Sequence, residues 1–221
     1  MPPTGWDTTG GEAWASATVS FLVMWVAMTV AMMLPSIAPT LWRYRQGLAS
    51  EGHARAVGLA ALAGAAYLVV WAAVGVIVFV LGVAFAAVQL SPALARAAPI
   101  GAGVVVLVAG GVQLTRWKAR HLAHVRAAPT PGHRVRAGAG SAWRHGLRLG
   151  RDCGLSCAGP MASLLVVGVM DLRAMAIVTV AITAERLAPA GERTARAIGL
   201  GAIVAGFMLI ARAAALGLHA E

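Results

Sequence analysis

From Ala56 to Ala95 the chain runs 40 residues without a charged side chain, and from residue 13 to residue 42 it runs another 30. A helix needs about 20 apolar residues to cross the hydrocarbon core of a bilayer. In that core the backbone has no water to bond, so a crossing segment must satisfy its own N–H and C=O groups, as a helix does. The expected fold class is therefore all-α, a polytopic membrane helix bundle. Composition agrees, since 59 % of residues are hydrophobic, 12 % are charged and the mean hydropathy is +0.77, outside the usual range of a soluble domain.

About six transmembrane segments are expected, near 16–34, 57–84, 99–114, 153–170, 174–188 and 197–218, as one helical domain over 16–218 after an extracytoplasmic leader, 1–15. Pro35 and Pro39 are read as ending the first segment. Only 11 uncharged residues, Ala174 to Ala184, precede Glu185, so the fourth and fifth segments are read as a short hairpin, partly re-entrant. The stretch 116–151 holds Pro129, Pro131, Gly132, Gly138 and Gly140 and reads as a basic cytoplasmic loop. Asp7 and Glu12, with no Lys or Arg beside them, make the leader unlike a secretory signal.

The net charge of +10 would suit nucleic acid if it were gathered on one face. It is instead divided among short polar stretches between apolar runs, which fits a topology signal and membrane lipid as the partner. With the N-terminus outside, the inner side holds Arg43, Arg45 and Arg55, nine basic residues between Arg116 and Arg151, and Arg186, Arg193 and Arg196, which is 15 of the 18 Lys and Arg. Arg96, Arg173 and Arg212 remain outside. Both termini are then extracytoplasmic.

Cys153 and Cys157, the only cysteines, stand with Met161 at i, i+4 and i+8, so a helix lines their sulfurs along one stripe. Met24, Met28 and Met32 repeat that spacing on the first segment, with Met33 beside them. At a reducing cytoplasmic face the cysteines are expected as thiols or thiolates rather than a disulfide. Soft sulfur donors favour Cu(I) over Mg or Ca. The expected function is thus binding of a soft transition metal, copper(I) first, between facing helices, with Met28 or Met32 within side-chain reach of Cys157. His121, spaced i, i+3 from His124, is a further candidate ligand. Methionine and cysteine also serve as plain packing residues, so a non-catalytic scaffold or subunit of a larger complex is the alternative. Asp171 and Glu185 are candidate proton or ion sites if either lies at membrane depth, which would suit a transporter. No Walker loop, HExxH, GxSxG or dinucleotide fingerprint occurs, and nothing establishes an enzyme.

The segments M-W-V-A-M-T-V-A-M-M-L-P-S-I-A-P (24–39), V-Q-L-T-R-W-K (112–118), C-G-L-S-C-A-G-P-M-A-S-L-L-V-V-G-V-M-D-L (153–172) and A-E-R-L-A-P (184–189) resemble the bacterial family of predicted metal-binding integral membrane proteins, domain of unknown function 2182. The resemblance spans about Trp14 to Gly206. It implies a multi-pass inner-membrane protein with a metal site. A metal chaperone or another membrane subunit is the expected protein partner. Met28, Met32, Met33 and Pro35 match its first motif, Cys153 and Cys157 its second, and Met170 and Glu185 the stretch that follows. The family pattern often carries further cysteines at about the positions of His121, Val125 and Ser156.

Overall fold

The computed structural model describes residues 11–88, 92–126, 137–168 and 171–218. Among these are seven α-helices and no strand: α1 (Gly11–Gly47), α2 (His53–Val88), α3 (Pro92–Gln113), α4 (Arg116–Arg126), α5 (Ala139–Val167), α6 (Leu172–Leu187) and α7 (Gly191–Leu218), with one 3₁₀ turn at Ala49–Glu51. Three helices, α1, α2 and α7, are long and apolar enough to cross a membrane, and α3 with α4 makes a fourth if that pair, bent by 66°, is one span. The expected segments 16–34, 57–84 and 197–218 fall on the three long helices, and 99–114 falls largely on α3. The expected segments 153–170 and 174–188 fall on α5 and α6, which are not among those spans. They are joined through Gly168, whose φ of +134° favours glycine, and Asp171 caps α6 by accepting from the N–H groups of Arg173 and Ala174.

Two expectations about boundaries are corrected. Pro35 and Pro39 do not end α1, which runs through both to Gly47. In apolar surroundings an unwound backbone would have no water to bond, which favours continuing the helix through both prolines, and the Ser36 hydroxyl donates to the Met33 carbonyl in that turn. The basic stretch is also not all loop. Lys118, Leu122 and Val125 are buried, and their i, i+4, i+7 spacing gives R-W-K-A-R-H-L-A-H-V-R an inward helical face. Gly138 and Gly140 lie at the start of α5, while Pro129, Pro131 and Gly132 lie outside the described residues, as do Met170 and most of the leader.

Small residues set how closely the helices approach. On α3 and α7 the glycines face one another in antiparallel register. A Cβ at Gly110 would lie 2.7 Å from the Gly199 carbonyl oxygen, and one at Gly206 would lie 2.9 Å from that of Gly103. Backbone therefore rests on backbone at two levels. On α5, Gly146 and Gly150 lie against Ala63, Tyr67 and Val70 of α2. Trp25 of α1 donates its indole N–H to the Trp71 carbonyl of α2 at 2.9 Å. Outward, Val76, Ile77, Val80 and Leu81 of α2 and Leu200, Val204, Phe207 and Met208 of α7 leave long apolar faces exposed.

Gly110→Ala and Gly199→Ala should each lower stability by about 1–3 kcal/mol, because neither carbonyl can retreat without parting the helices. Gly201→Ala, where a Cβ meets nothing within 4 Å, should be neutral or stabilising by up to about 1 kcal/mol. Denaturation in detergent micelles measures both. A pH effect arises at His145, which stacks on Tyr44 with ring centroids 4.5 Å apart. Burial, and then the neighbouring Arg148 charge, hold its imidazole below the ordinary 6.5. The unfolded chain takes up a proton near 6.5 that the folded protein refuses, so stability present above that pH is lost as pH falls below it. His145→Phe should flatten this acid-side loss in melts run between pH 7.5 and 5.

Candidate metal centre

Cys153, Cys157 and Met161 follow one stripe of α5, and all three are buried. Met28, Met32 and Met33 of α1 are buried as well, and the six sulfur residues belong to one contiguous core cluster with Trp25, Tyr67, Trp71, Val125 and Ile182. The close approach of α5 to α2 brings the Tyr67 hydroxyl to 3.0 Å from Cys153 Sγ. The two cysteines are not joined in a disulfide.

A buried cation faces the sulfurs. Arg186 of α6 is only 5 % exposed. Its Nη1 donates to Ser36 Oγ at 2.9 Å, and its Nη2 donates to Cys153 Sγ at 2.9 Å and to Cys157 Sγ at 3.1 Å. Guanidinium does not give up its proton in proteins, and an isolated buried charge is costly. Charge balance within this cluster therefore asks for thiolate at the cysteine pair. One side chain thus joins α1, α5 and α6.

The next residue back points to a second polar cluster. Glu185 accepts from Lys118 Nζ of α4 at 2.7 Å and from Gln113 Nε2 of α3 at 2.6 Å, and the Lys118 and Glu185 side chains are each 2 % exposed. Lys118 also donates to the Ser156 carbonyl. That carbonyl has lost its helical partner, because the residue four places on is Pro160, which has no N–H. Arg126 of α4 donates to the Glu185, Ala188 and Pro189 carbonyls at the end of α6, which satisfies carbonyls that a helix end leaves unpaired.

Of the expected site residues, the structure gathers Cys153, Cys157, Met161, Met28, Met32 and Met33. It places His121 apart from the sulfur cluster, with its ring against Trp117 and its Nδ1 3.4 Å from Asp152 Oδ1. Asp171 is an exposed helix cap, and Glu185 is held in a buried ion pair. Arg186, Lys118, Tyr67 and Gln113 were not expected here, and the first two had been counted as topology charges. One signal was readable: Pro160 on a helix frees the Ser156 carbonyl, which needs a donor. Val125 and Ser156, where the resemblance implies cysteine, both border the thiols, Val125 within the same core cluster and Ser156 with its Oγ 3.8 Å from Cys157 Sγ.

A family model described as PpoB2, copper chaperone, matches residues 22–209, an interval holding every side chain of this centre. No curated protein and no solved structure matches the chain.

Removing one member of the Lys118–Glu185 pair strands the other. Lys118→Met and Glu185→Leu should each cost about 3–5 kcal/mol, whereas the double variant should recover a large part of that loss. Denaturant melts of the four proteins test this, and additive losses would show the pair to be uncoupled.

Proposed function

Since the chain belongs to the copper chaperone family PpoB2, we propose that it binds copper(I) as cargo at Cys153 and Cys157 and hands it on to a recipient copper protein. In this reading it sits in the bacterial inner membrane with both termini extracytoplasmic. The observation that carries the proposal is the pairing of two buried thiols with one guanidinium inside a methionine-lined cluster. Two thiolates and one Cu(I) carry a net charge of −1, and Arg186 brings the group to neutrality. The thioethers of Met161, Met28, Met32 and Met33 supply soft secondary donors that carry no charge and need lose no proton. Burial excludes water and oxygen from the sulfurs, which suits storage of a reduced ion.

Release then depends on competition: a recipient with thiolates of its own takes the ion, while Arg186 remains to hold the emptied cysteines. Nothing in this sequence of steps requires covalent catalysis, so a carrier role is favoured over an enzymatic one. The engagement of Glu185 by Lys118 and Gln113 supports a bracing role for that carboxylate over proton carriage. The scaffold reading, in which the sulfurs only pack, makes the opposite prediction about copper.

Purified protein reduced under anaerobic conditions should retain about one Cu(I) per chain, by elemental analysis and a chelator competition. Cys153→Ser/Cys157→Ser should lose it. Met32→Leu, which keeps volume and removes only the thioether, should weaken binding while the protein stays folded. Arg186→Gln should lower affinity about tenfold or more, because about 1.4 kcal/mol of lost charge compensation is already tenfold. Affinity should rise with pH, since binding releases thiol protons. Equal, sub-stoichiometric copper in wild type and in the double cysteine variant overturns the proposal.

A further inference from the structure

At the seam of α4 and α5, two imidazoles and a carboxylate converge. His121 and His124 lie at i, i+3 on α4, and Asp152 immediately precedes Cys153 on α5. One ligand atom from each lies within 4.8 Å of the others. The His121 and Asp152 side chains are 17 % and 13 % exposed, whereas His124 is exposed. His121 Nδ1 is buried and has no hydrogen-bond partner; it stands 3.4 Å from Asp152 Oδ1. Asp152 Oδ1 is also approached by Arg151 at 3.2 and 3.3 Å. That arginine is itself exposed, so it can swing into solvent when a cation takes its place.

We propose that His121, His124 and Asp152 form a second metal site, distinct from the cysteine pair, that takes a divalent ion of borderline softness such as Cu(II) or Zn(II). Two imidazoles and a carboxylate suit such ions, whereas the buried thiolates suit Cu(I). Three protein ligands leave a coordination position for water or an incoming donor. The two sheltered ligands hold the ion and exposed His124 closes on it from the solvent side, so the ion can arrive without the bundle opening. Once seated, it ties α4 to α5. This site does not rest on the copper(I) reading, since none of its three ligands contributes sulfur.

Cobalt(II) is the probe, because its absorption separates nitrogen and oxygen ligation from thiolate ligation. Wild-type protein titrated with Co(II) should take up one ion per chain with visible ligand-field bands and no thiolate charge-transfer band, and Zn(II) should displace it and raise the melting temperature. His124→Ala, at an exposed position that leaves folding intact, should weaken Co(II) binding about tenfold or more, a loss at least as large as that of an outer-shell partner. Asp152→Asn should do the same. Unchanged Co(II) affinity in His124→Ala overturns the site, and so does a thiolate charge-transfer band in the wild-type spectrum. Copper(I) retention in His124→Ala is measured in parallel; its loss there would join the two sites, whereas its persistence with cobalt lost is the expected result and leaves the cysteine reading to its own test.

Discussion

A guanidinium that cannot shed its charge and cannot reach bulk water governs the interior of this bundle. Moving such an ion out of water costs several kcal/mol even after relaxation, a cost that charge-balancing and hydrogen-bonding partners must offset. Arg186 meets that demand with a hydroxyl from α1 and two sulfurs from α5. The three helices are therefore placed by one plane of hydrogen bonds rather than by apolar packing alone. The methionines then fill the irregular space around it, where unbranched, polarizable side chains pack well.

A backbone vacancy organises the neighbouring cluster. Proline at 160 leaves the Ser156 carbonyl without its helical donor, and the Lys118 ammonium fills the gap while pairing with Glu185. The Ser156 hydroxyl in turn donates to the Cys153 carbonyl. The same turn of α5 therefore presents thiols on one side and an occupied carbonyl on another. A small residue there lets α3 close over it: a Cβ at Gly159 would lie 3.0 Å from the Ala109 carbonyl oxygen of α3. Polar function and tight packing share a single short segment.

Long uncharged runs announced α1 and α2, and an apolar stretch interrupted only by Arg212 announced α7, because crossing length and hydropathy are local properties of the chain. The sulfur cluster was legible for a related reason: i, i+4 spacing on two separate segments survives any packing that turns both stripes inward. Arg186 and Lys118 were not legible. An arginine's burial depends on partners such as Ser36, 150 residues away, and charge counting along a sequence treats it as solvated. His121 reads from its spacing as a further ligand, yet its Nδ1 lies against Asp152, one residue short of the cysteine. Proline in α1 misled because helix-breaking rules weigh the lost N–H and not the greater cost of unwinding a helix where there is no water to bond.

Glu185 and Arg186 are consecutive, so on α6 their side chains leave the axis about 100° apart. One engages α3 and α4, and the other engages α1 and α5. A helix pinned in two directions by adjacent residues behaves like a key with two teeth: turning it to free one tooth withdraws the other. Any rearrangement that pulls the guanidinium away from the sulfurs must also disturb the Lys118 ion pair, which links the state of the thiol pocket to the seating of α4.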